Sequence, residues 1–305
     1  MQADATRLEN RTVQAPPRGL LKTDEMMSRH TSWKVGGPAE RFYIPPDEDD
    51  LACFLAALPD GEPVTWIGLG SNVLVRDGGI RGTVISSVGM KDKLLLLSGN
   101  ALRAGCGVAC AKVARFSAKS GLTGAEFLAG IPGSVGGALA MNAGAFGAET
   151  WSIVEQVETV TRNGMRVERT GADFATGYRQ VDLADDEWFL NVVFRLDRDA
   201  DGKAEARIRE LLTRRAETQP MGQFSCGSVF KNPAGDFAGR LVEQCGLKGF
   251  AIGGAHVSEK HANFIINAGK ASAGDIEALI LHVQATVEEM TGTRLVPEVR
   301  IIGEP

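Results

Sequence analysis

No stretch of this 305-residue chain approaches the roughly 20 consecutive apolar residues of a membrane-spanning helix; LLLL at 94–97 is at most a buried strand. The opening MQADATRLENRTVQAPPRGLLKTDE lacks the continuous apolar core of a secretory signal and reads as a loosely packed lead-in. Positive charge is short: 33 Lys and Arg stand against 38 Asp and Glu, a net charge of −5, the wrong sign for a nucleic-acid footprint. Aromatics are scarce at 6%, with only two tyrosines, which leaves little for stacking exposed bases. The five cysteines, at 53, 106, 110, 226 and 245, are odd in number and contain no C-x-x-C, so they suggest neither a disulfide framework nor a zinc ribbon. Cys106 and Cys110 would meet on one helical turn, but two ligands do not make a metal site; small buried thiols in a reducing cytoplasm are the simpler reading.

Two familiar phosphate loops are missing as well. The nearest Gly-Lys, at 269–270, is followed by Ala, so there is no G-x-x-x-x-G-K-[ST]. GLGSNV (68–73) and GCGVAC (105–110) begin G-x-G but lack the third glycine and head no helix of a βαβ unit. A P-loop NTPase and a simple Rossmann dehydrogenase are both excluded.

What is abundant is glycine, 37 residues of 305, concentrated in GAEFLAGIPGSVGGALAMNAGAFG at 124–147. Glycine costs stability in regular structure, so a concentration of it implies tight turns or a ligand pressed against backbone. GLGSN, directly after the strand-like VTWI, has anion-cradling chemistry: two glycines let successive N–H groups share one concavity, and Ser71 and Asn72 add donors. A polar turn between two strands remains the alternative there, and a tightly packed turn the alternative for GIPGSVGG. Two such loops in one presumptive domain, with little charge between them, favour a dinucleotide cofactor.

Along the chain, EDDLACFLAAL (48–58) and VACAKVARFSAKSG, closed by Gly121, read as helices, and IVEQVETVTRNGMRVERT reads as a hairpin around Asn163-Gly164. WFLNVVFRLD (188–197), ANFIIN (262–267) and LVPEVRIIG read as strands. DGKAEARIRELLTRRAETQP resembles a connecting helix that ends near Pro220, and DFAGRLVEQCG places Phe237, Leu241, Val242 and Cys245 on one helical face. SAGDIEALILHVQATVEEMTG keeps Ile276, Leu279, Ile280, Val283, Val287 and Met290 in helical period, with Gly292 as its cap. The irregular alternation of strands and helices indicates an α+β protein.

TSWKVGGPAE, GLGSNVLVRDGG, the 124–147 run, GYR, CGSVFKNP and LVPEV occur in the order seen in the MurB family of UDP-N-acetylenolpyruvoylglucosamine reductases, and the chain resembles that family from about residue 28 to 303. The resemblance implies a vanillyl-alcohol-oxidase (PCMH)-type FAD-binding domain of two subdomains, here 1–90 with the lead-in and 91–200, and a C-terminal α+β substrate-binding domain at 201–305. It implies noncovalent FAD, NADPH as hydride donor, and reduction of the enolpyruvyl ether of UDP-N-acetylglucosamine to UDP-N-acetylmuramate in cytoplasmic peptidoglycan synthesis. No nucleic-acid or membrane partner is expected. By the same likeness Gly68, Gly70, Ser71 and Asn72 would wrap the FAD pyrophosphate. Ile131, Pro132, Gly133, Ser134, Gly137, Asn142 and Gly144 would line the flavin. Arg179, Ser228 and Glu298 match the catalytic positions, and Tyr178, Lys231 and Asn232 match positions near the substrate.

The three catalytic matches also make chemical sense. Charge developing beside a carboxylate suits a guanidinium, here Arg179. Ser228 is a small hydroxyl on a turn, a poor acid that needs a polarising neighbour such as Glu298. Glu298, among apolar residues beside Pro297, is an awkward charge unless paired. The family often has Ser two residues after the Arg of the Tyr-Arg element, where Val181 stands here, and no tyrosine falls between Arg179 and Ser228. That points to a shorter subclass without a tyrosine-bearing loop. Two other functions compete: a flavin oxidase with covalent FAD, for which His30 is the only histidine before 256, and a noncatalytic nucleotide-sugar binder.

Overall fold

The computed structural model describes residues 16–91 and 93–305, so the first 15 residues of the expected lead-in lie outside the described residues. The rest of that lead-in is not loose. Leu20–Met26 forms strand β1, antiparallel to β2 (Pro38–Ile44). The first sheet is completed by β5 (Ile80–Ser86) and β3 (Val64–Ile67), in the order β1-β2-β5-β3, with β2, β5 and β3 mutually parallel. Helix α1 (Glu48–Ala57) starts where Asp47 accepts the N–H of Asp50, and it buries Leu51, Phe54 and Leu55.

The second sheet is a five-stranded antiparallel unit built from β6 (Leu94–Leu96), β7 (Ala101–Gly105), β8 (Val154–Thr161), β9 (Arg166–Thr170) and β10 (Glu187–Arg195), in the order β9-β8-β10-β7-β6. Helix α2 (Cys110–Lys119) and the short α3 (Val135–Ala140) pack on it. The LLLL run, expected to be buried, is instead at the sheet edge: Leu95 and Leu96 are 46% and 51% exposed, because β6 has a neighbour on one side only. Helix α4 (Ala204–Thr218) also does more than connect. Its Ala204 and Ile208 enter the second core, and Arg207 pairs with Asp199 at 2.7 Å and Glu126 at 3.1 Å.

The last third folds around α6 (Ala273–Thr291), whose start carries a reciprocal Ser272–Asp275 capping box and whose end turns at Gly292 with φ +69°. It packs with α5 (Ala238–Gln244) and a small sheet of β11 (Ala251–Ile252), β12 (Ala255–Val257) and β13 (Ile265–Asn267). Two expected core residues are outside it. Phe237 precedes α5 and is 67% exposed, and Met290, in the last turn of α6, is 61% exposed. The three stretches are laced together. β14 (Arg300–Ile302) pairs in parallel with β4 (Val73–Val75), and Asp77 accepts the N–H groups of Ala273 and Gly274 at the start of α6. Trp33, fully buried, donates its indole N–H to the Ile265 carbonyl at 2.8 Å. Among the described residues no helix is long and apolar enough to cross a membrane, and no three His, Cys, Asp or Glu side chains group as a metal site.

Candidate active site

β3 is the outer strand of the first sheet and runs directly into GLGSN, where Gly70 has φ +63°. Asn72 fixes the far end of this loop: its Nδ2 donates to the Glu298 carbonyl at 3.0 Å, and its own carbonyl accepts the N–H of Arg300 at 3.1 Å. The second loop, Ile131–Ser134, is held by backbone. Cys110 N–H bonds the Gly133 carbonyl at 3.0 Å, and Ser134 Oγ caps α3 by accepting Gly137 N–H at 3.4 Å.

The two loops border one cleft of about 690 Å³. Gly68, Gly70, Ser71 and Asn72 line it from the first loop; Ile131, Pro132, Gly133, Ser134 and Gly137 line it from the second, with Gly144 nearby. Arg179, Ser228 and Glu298 line the same cleft. Residues more than a hundred positions apart in the chain thus converge on one concavity.

Arg179 sits at a hairpin tip with φ +55°, a left-handed conformation that costs a non-glycine residue about 1 kcal/mol or more. Its Nε bonds Glu298 Oε1 at 2.8 Å, while Nη2 and Nη1 donate to the carbonyls of Gly144 (3.0 Å) and Asn142 (3.3 Å). Both charged side chains are largely buried. Burial pushes the Glu298 carboxyl above its usual range, opposed by Arg179 and, more weakly, by Lys231. The expected pairing of the isolated Glu298 is therefore present, with Arg179 as its partner.

Ser228 stands on the turn after Gly227, and the next residue, Val229, accepts the Glu298 N–H on its carbonyl at 2.7 Å. A bridge between Phe230 and Pro297 extends this pairing. Glu298 thereby enters the site on a segment zipped to the one that carries Ser228. Neighbouring Cys226 also lines the cleft, but burial raises its thiol to about 12, which leaves it no nucleophile.

Four of the expected residues are placed differently from the rest. Asn142 is buried behind the cleft wall. Its Nδ2 donates to Glu149 Oε2 (2.8 Å) and the Gly177 carbonyl (3.0 Å), and its Oδ1 accepts the Trp151 N–H. With both ends of its amide engaged, this side chain holds the wall that carries Arg179 and does not face the cavity. Lys231 does not line the cleft; its Nζ donates to the Arg179 carbonyl at 3.4 Å. Asn232 accepts the Ala238 N–H at the start of α5, and Tyr178 lies half-exposed with the Arg179 guanidinium 5.3 Å from its ring centre.

Sequence reading missed Arg215. In sequence it is one more charge on a charged helix, but it lines the cleft, bonded through Nε to Gln219 at 2.8 Å. Among the described residues no carboxylate pairs with it, and burial lowers its pKa. An unpaired guanidinium in the wall of a cleft suits an anionic ligand. Gly137 points the same way: its N–H is taken by Ser134 Oγ, but a Cβ there would meet only that oxygen, at 3.6 Å, so open space lies over this part of the cleft wall. A glycine-walled groove of this volume, with Arg179 and Arg215 in its wall, fits a dinucleotide such as FAD.

Comparison with known proteins agrees. Residues 39–170 match the FAD binding domain family, and residues 219–302 match the family described as UDP-N-acetylenolpyruvoylglucosamine reductase, C-terminal domain. The chain is 55% identical to the UDP-N-acetylenolpyruvoylglucosamine reductase of Methylococcus capsulatus over 294 residues, 95% of each chain. It is 52% identical to that of Nitrosococcus oceani, over 95% of this chain and 98% of the relative. The crystal structure of UDP-N-acetylenolpyruvylglucosamine reductase (MurB) from Thermus caldophilus superposes with a TM-score of 0.80 at 31% identity, covering 93% of this chain and 98% of that one. The α+β architecture, the FAD-type domain and the full-length likeness lead to one conclusion: the chain belongs to the UDP-N-acetylenolpyruvoylglucosamine reductase family.

Proposed function

We propose that this protein is a cytoplasmic FAD-containing, NADPH-dependent reductase that converts the enolpyruvyl ether of UDP-N-acetylglucosamine to UDP-N-acetylmuramate. The observation that carries the reading is the convergence of Arg179, Glu298 and Ser228 on the cleft walled by both glycine loops. Residues 1–90 and 91–200 would form the two halves of the FAD domain and 201–305 the substrate domain. The absence of tyrosine between Arg179 and Ser228 supports the shorter subclass.

When bound, FAD supplies a two-electron relay from NADPH to the vinyl group of the substrate. Hydride addition at C3 leaves negative charge shared between C2 and the adjoining carboxylate. Arg179 is built to meet that charge. Two of its bonds go to neutral carbonyls, which are weaker acceptors than a carboxylate, while Glu298 keeps hold of Nε. An incoming carboxylate displaces a carbonyl without releasing the side chain from its anchor. Ser228 delivers the proton to C2. Glu298 tunes the pair by neutralising Arg179 before substrate arrives, and its burial holds that charge pair away from water. Lys231, Asn232 and Tyr178, none of which lines the cleft itself, are assigned to the diphosphate and sugar.

Separating the half-reactions tests the assignment. Ser228→Ala should reduce its flavin with NADPH at the wild-type rate in a stopped-flow experiment, since no substrate proton moves in that half. Reoxidation by the enolpyruvyl substrate should slow by roughly 10²–10⁴-fold, the usual loss for a positioned general acid. An unaffected second half would remove Ser228 as proton donor.

A further inference from the structure

The hairpin that carries Arg179 has little to hold it in place by itself. Thr176–Gly177 pairs with Gln180–Val181 across a tip formed by Tyr178 and Arg179, and of the four paired residues only Val181 is partly buried. So short a ladder is marginal alone, and its tip bears the left-handed backbone of Arg179. A strained conformation persists where its surroundings over-determine it. Those surroundings centre on Asn142, which is 2% exposed and left-handed at φ +43°. Its carbonyl accepts from Arg179 Nη1 at 3.3 Å, while its Nδ2 donates to the Gly177 carbonyl at 3.0 Å, two residues before Arg179. One residue therefore grips both the guanidinium and the stem of its hairpin. The Gly144 carbonyl that takes Nη2 sits on a second small hairpin, Gly144–Ala145 with Ala148–Glu149. A Cβ at Gly144 would lie 3.1 Å from Arg179 Nη1, so the guanidinium rests against bare backbone there.

The Asn142 amide fits in one orientation only. Two acceptors, Glu149 Oε2 at 2.8 Å and the Gly177 carbonyl, face Nδ2, and one donor, the Trp151 N–H at 3.1 Å, faces Oδ1. Among the described residues the Glu149 carboxylate bonds Asn142 alone, and it does not line the cleft. A charged acceptor makes the stronger hydrogen bond. Glu149 thus fixes the amide, and the amide fixes the hairpin behind Arg179.

We propose that Asn142 and Glu149 are positioning residues for Arg179: they set its guanidinium before substrate arrives and act on the enolpyruvyl half-reaction only through it. The inference rests on the reading of Arg179 as the partner of the charge that develops on the substrate, and its test is chosen so that the two fail separately. Asn142→Asp is the sharpest variant. Aspartate has nearly the same shape and tolerates left-handed backbone, but it replaces the donor with a carboxylate facing Glu149 and the Gly177 carbonyl. FAD-loaded protein is reduced with dithionite and mixed with the enolpyruvyl ether in a stopped-flow experiment, which reads the rate per bound flavin whatever fraction of the chains has folded. Reoxidation in Asn142→Asp slows roughly 10- to 100-fold, the scale for a reacting group misplaced by about 1 Å. Its FAD dissociation constant stays at the wild-type value, because the Asn142 side chain does not face the cavity. In an Arg179→Ala background the same substitution slows nothing further. Glu149→Ala slows reoxidation roughly 3- to 10-fold, the cost of one hydrogen bond, and Glu149→Gln, which keeps an acceptor, retains the wild-type rate. Where Asn142→Asp does not fold, the two Glu149 variants decide. Wild-type reoxidation in Asn142→Asp or Glu149→Ala, additive losses in the double variant, or a folded Asn142→Asp protein that has lost FAD affinity overturns the positioning role. Wild-type reoxidation in Arg179→Ala alone overturns the reading of Arg179 instead.

Discussion

Gly70 and Gly137 border the same cleft, yet a side chain would act on them in opposite ways. At Gly70 the protein itself occupies the space: a Cβ would run into the His30 carbonyl and lie 2.9 Å from Thr31 Cα, and φ is +63°. At Gly137, in the first turn of α3, a Cβ would meet only Ser134 Oγ at an ordinary 3.6 Å. One position is glycine because protein packs against it. The other is glycine with no protein reason visible, which leaves the ligand. The same division runs through the glycine-rich stretch 124–147. Gly130 and Gly136 are closed off by Phe146 and Cys106, whereas Gly133 has Ser71 Oγ, the movable end of a side chain, as its nearest neighbour at 3.2 Å. What looks in sequence like a single ligand loop is two kinds of glycine interleaved.

Substituting both positions breaks or confirms the distinction. Gly70→Ala combines a left-handed strain of about 1–2 kcal/mol with a backbone collision that side-chain rotation cannot relieve. It should cost more than about 3 kcal/mol in apoprotein stability by urea unfolding, with flavin binding lost as a consequence. Gly137→Ala should do the reverse. Alanine is the better helix former by about 0.5–1 kcal/mol, so the apoprotein should hold or gain stability. A methyl group forced against a close-fitting ligand costs about 1–3 kcal/mol, so FAD affinity should fall roughly tenfold or more. A destabilised apoprotein with unchanged FAD affinity would place Gly137 in the same class as Gly70.

That division was not legible in the sequence, because it depends on what lies across the fold. Gly136 is packed by Cys106, thirty positions away, and Gly70 by a loop forty positions upstream. Local signals fared better. The Gly292 stop and the apolar period of α6 form as read, except that Met290 is exposed in the last turn. Phe237 failed for a related reason: it fits the apolar face of α5 by spacing, but the helix begins one residue later. β1 escaped notice because an edge strand with one half-buried residue and one buried residue has no alternation to detect. Arg179 and Glu298, 119 residues apart, carry no mutual signal in the chain; only the likeness of their short motifs to a family brought them together on paper. The same likeness said nothing about Arg215. It belongs to a segment that reads as ordinary charged helix, and only the closed fold turns it toward the cleft.

Gly147 separates strain from packing and from ligand space, and it should give the smallest effect of the three. It lies at a turn with φ +87°, exposed, and a Cβ there would meet nothing within 4 Å. Neither protein nor cleft constrains the added methyl group, because Gly147, unlike its neighbour Phe146, does not line the cavity. The backbone conformation is then the whole cost. Gly147→Ala should lower stability by about 1 kcal/mol, equally with and without FAD, and leave the FAD dissociation constant and both half-reactions at wild-type values. Unfolding midpoints measured on apoprotein and on flavin-loaded protein check this directly. A drop confined to the loaded form would mean that the turn at 147 closes on the cofactor. A drop as large as that of Gly70→Ala would mean that the contacts around Gly70 add little to the strain of its left-handed backbone, and the contrast between packed and open glycines would collapse.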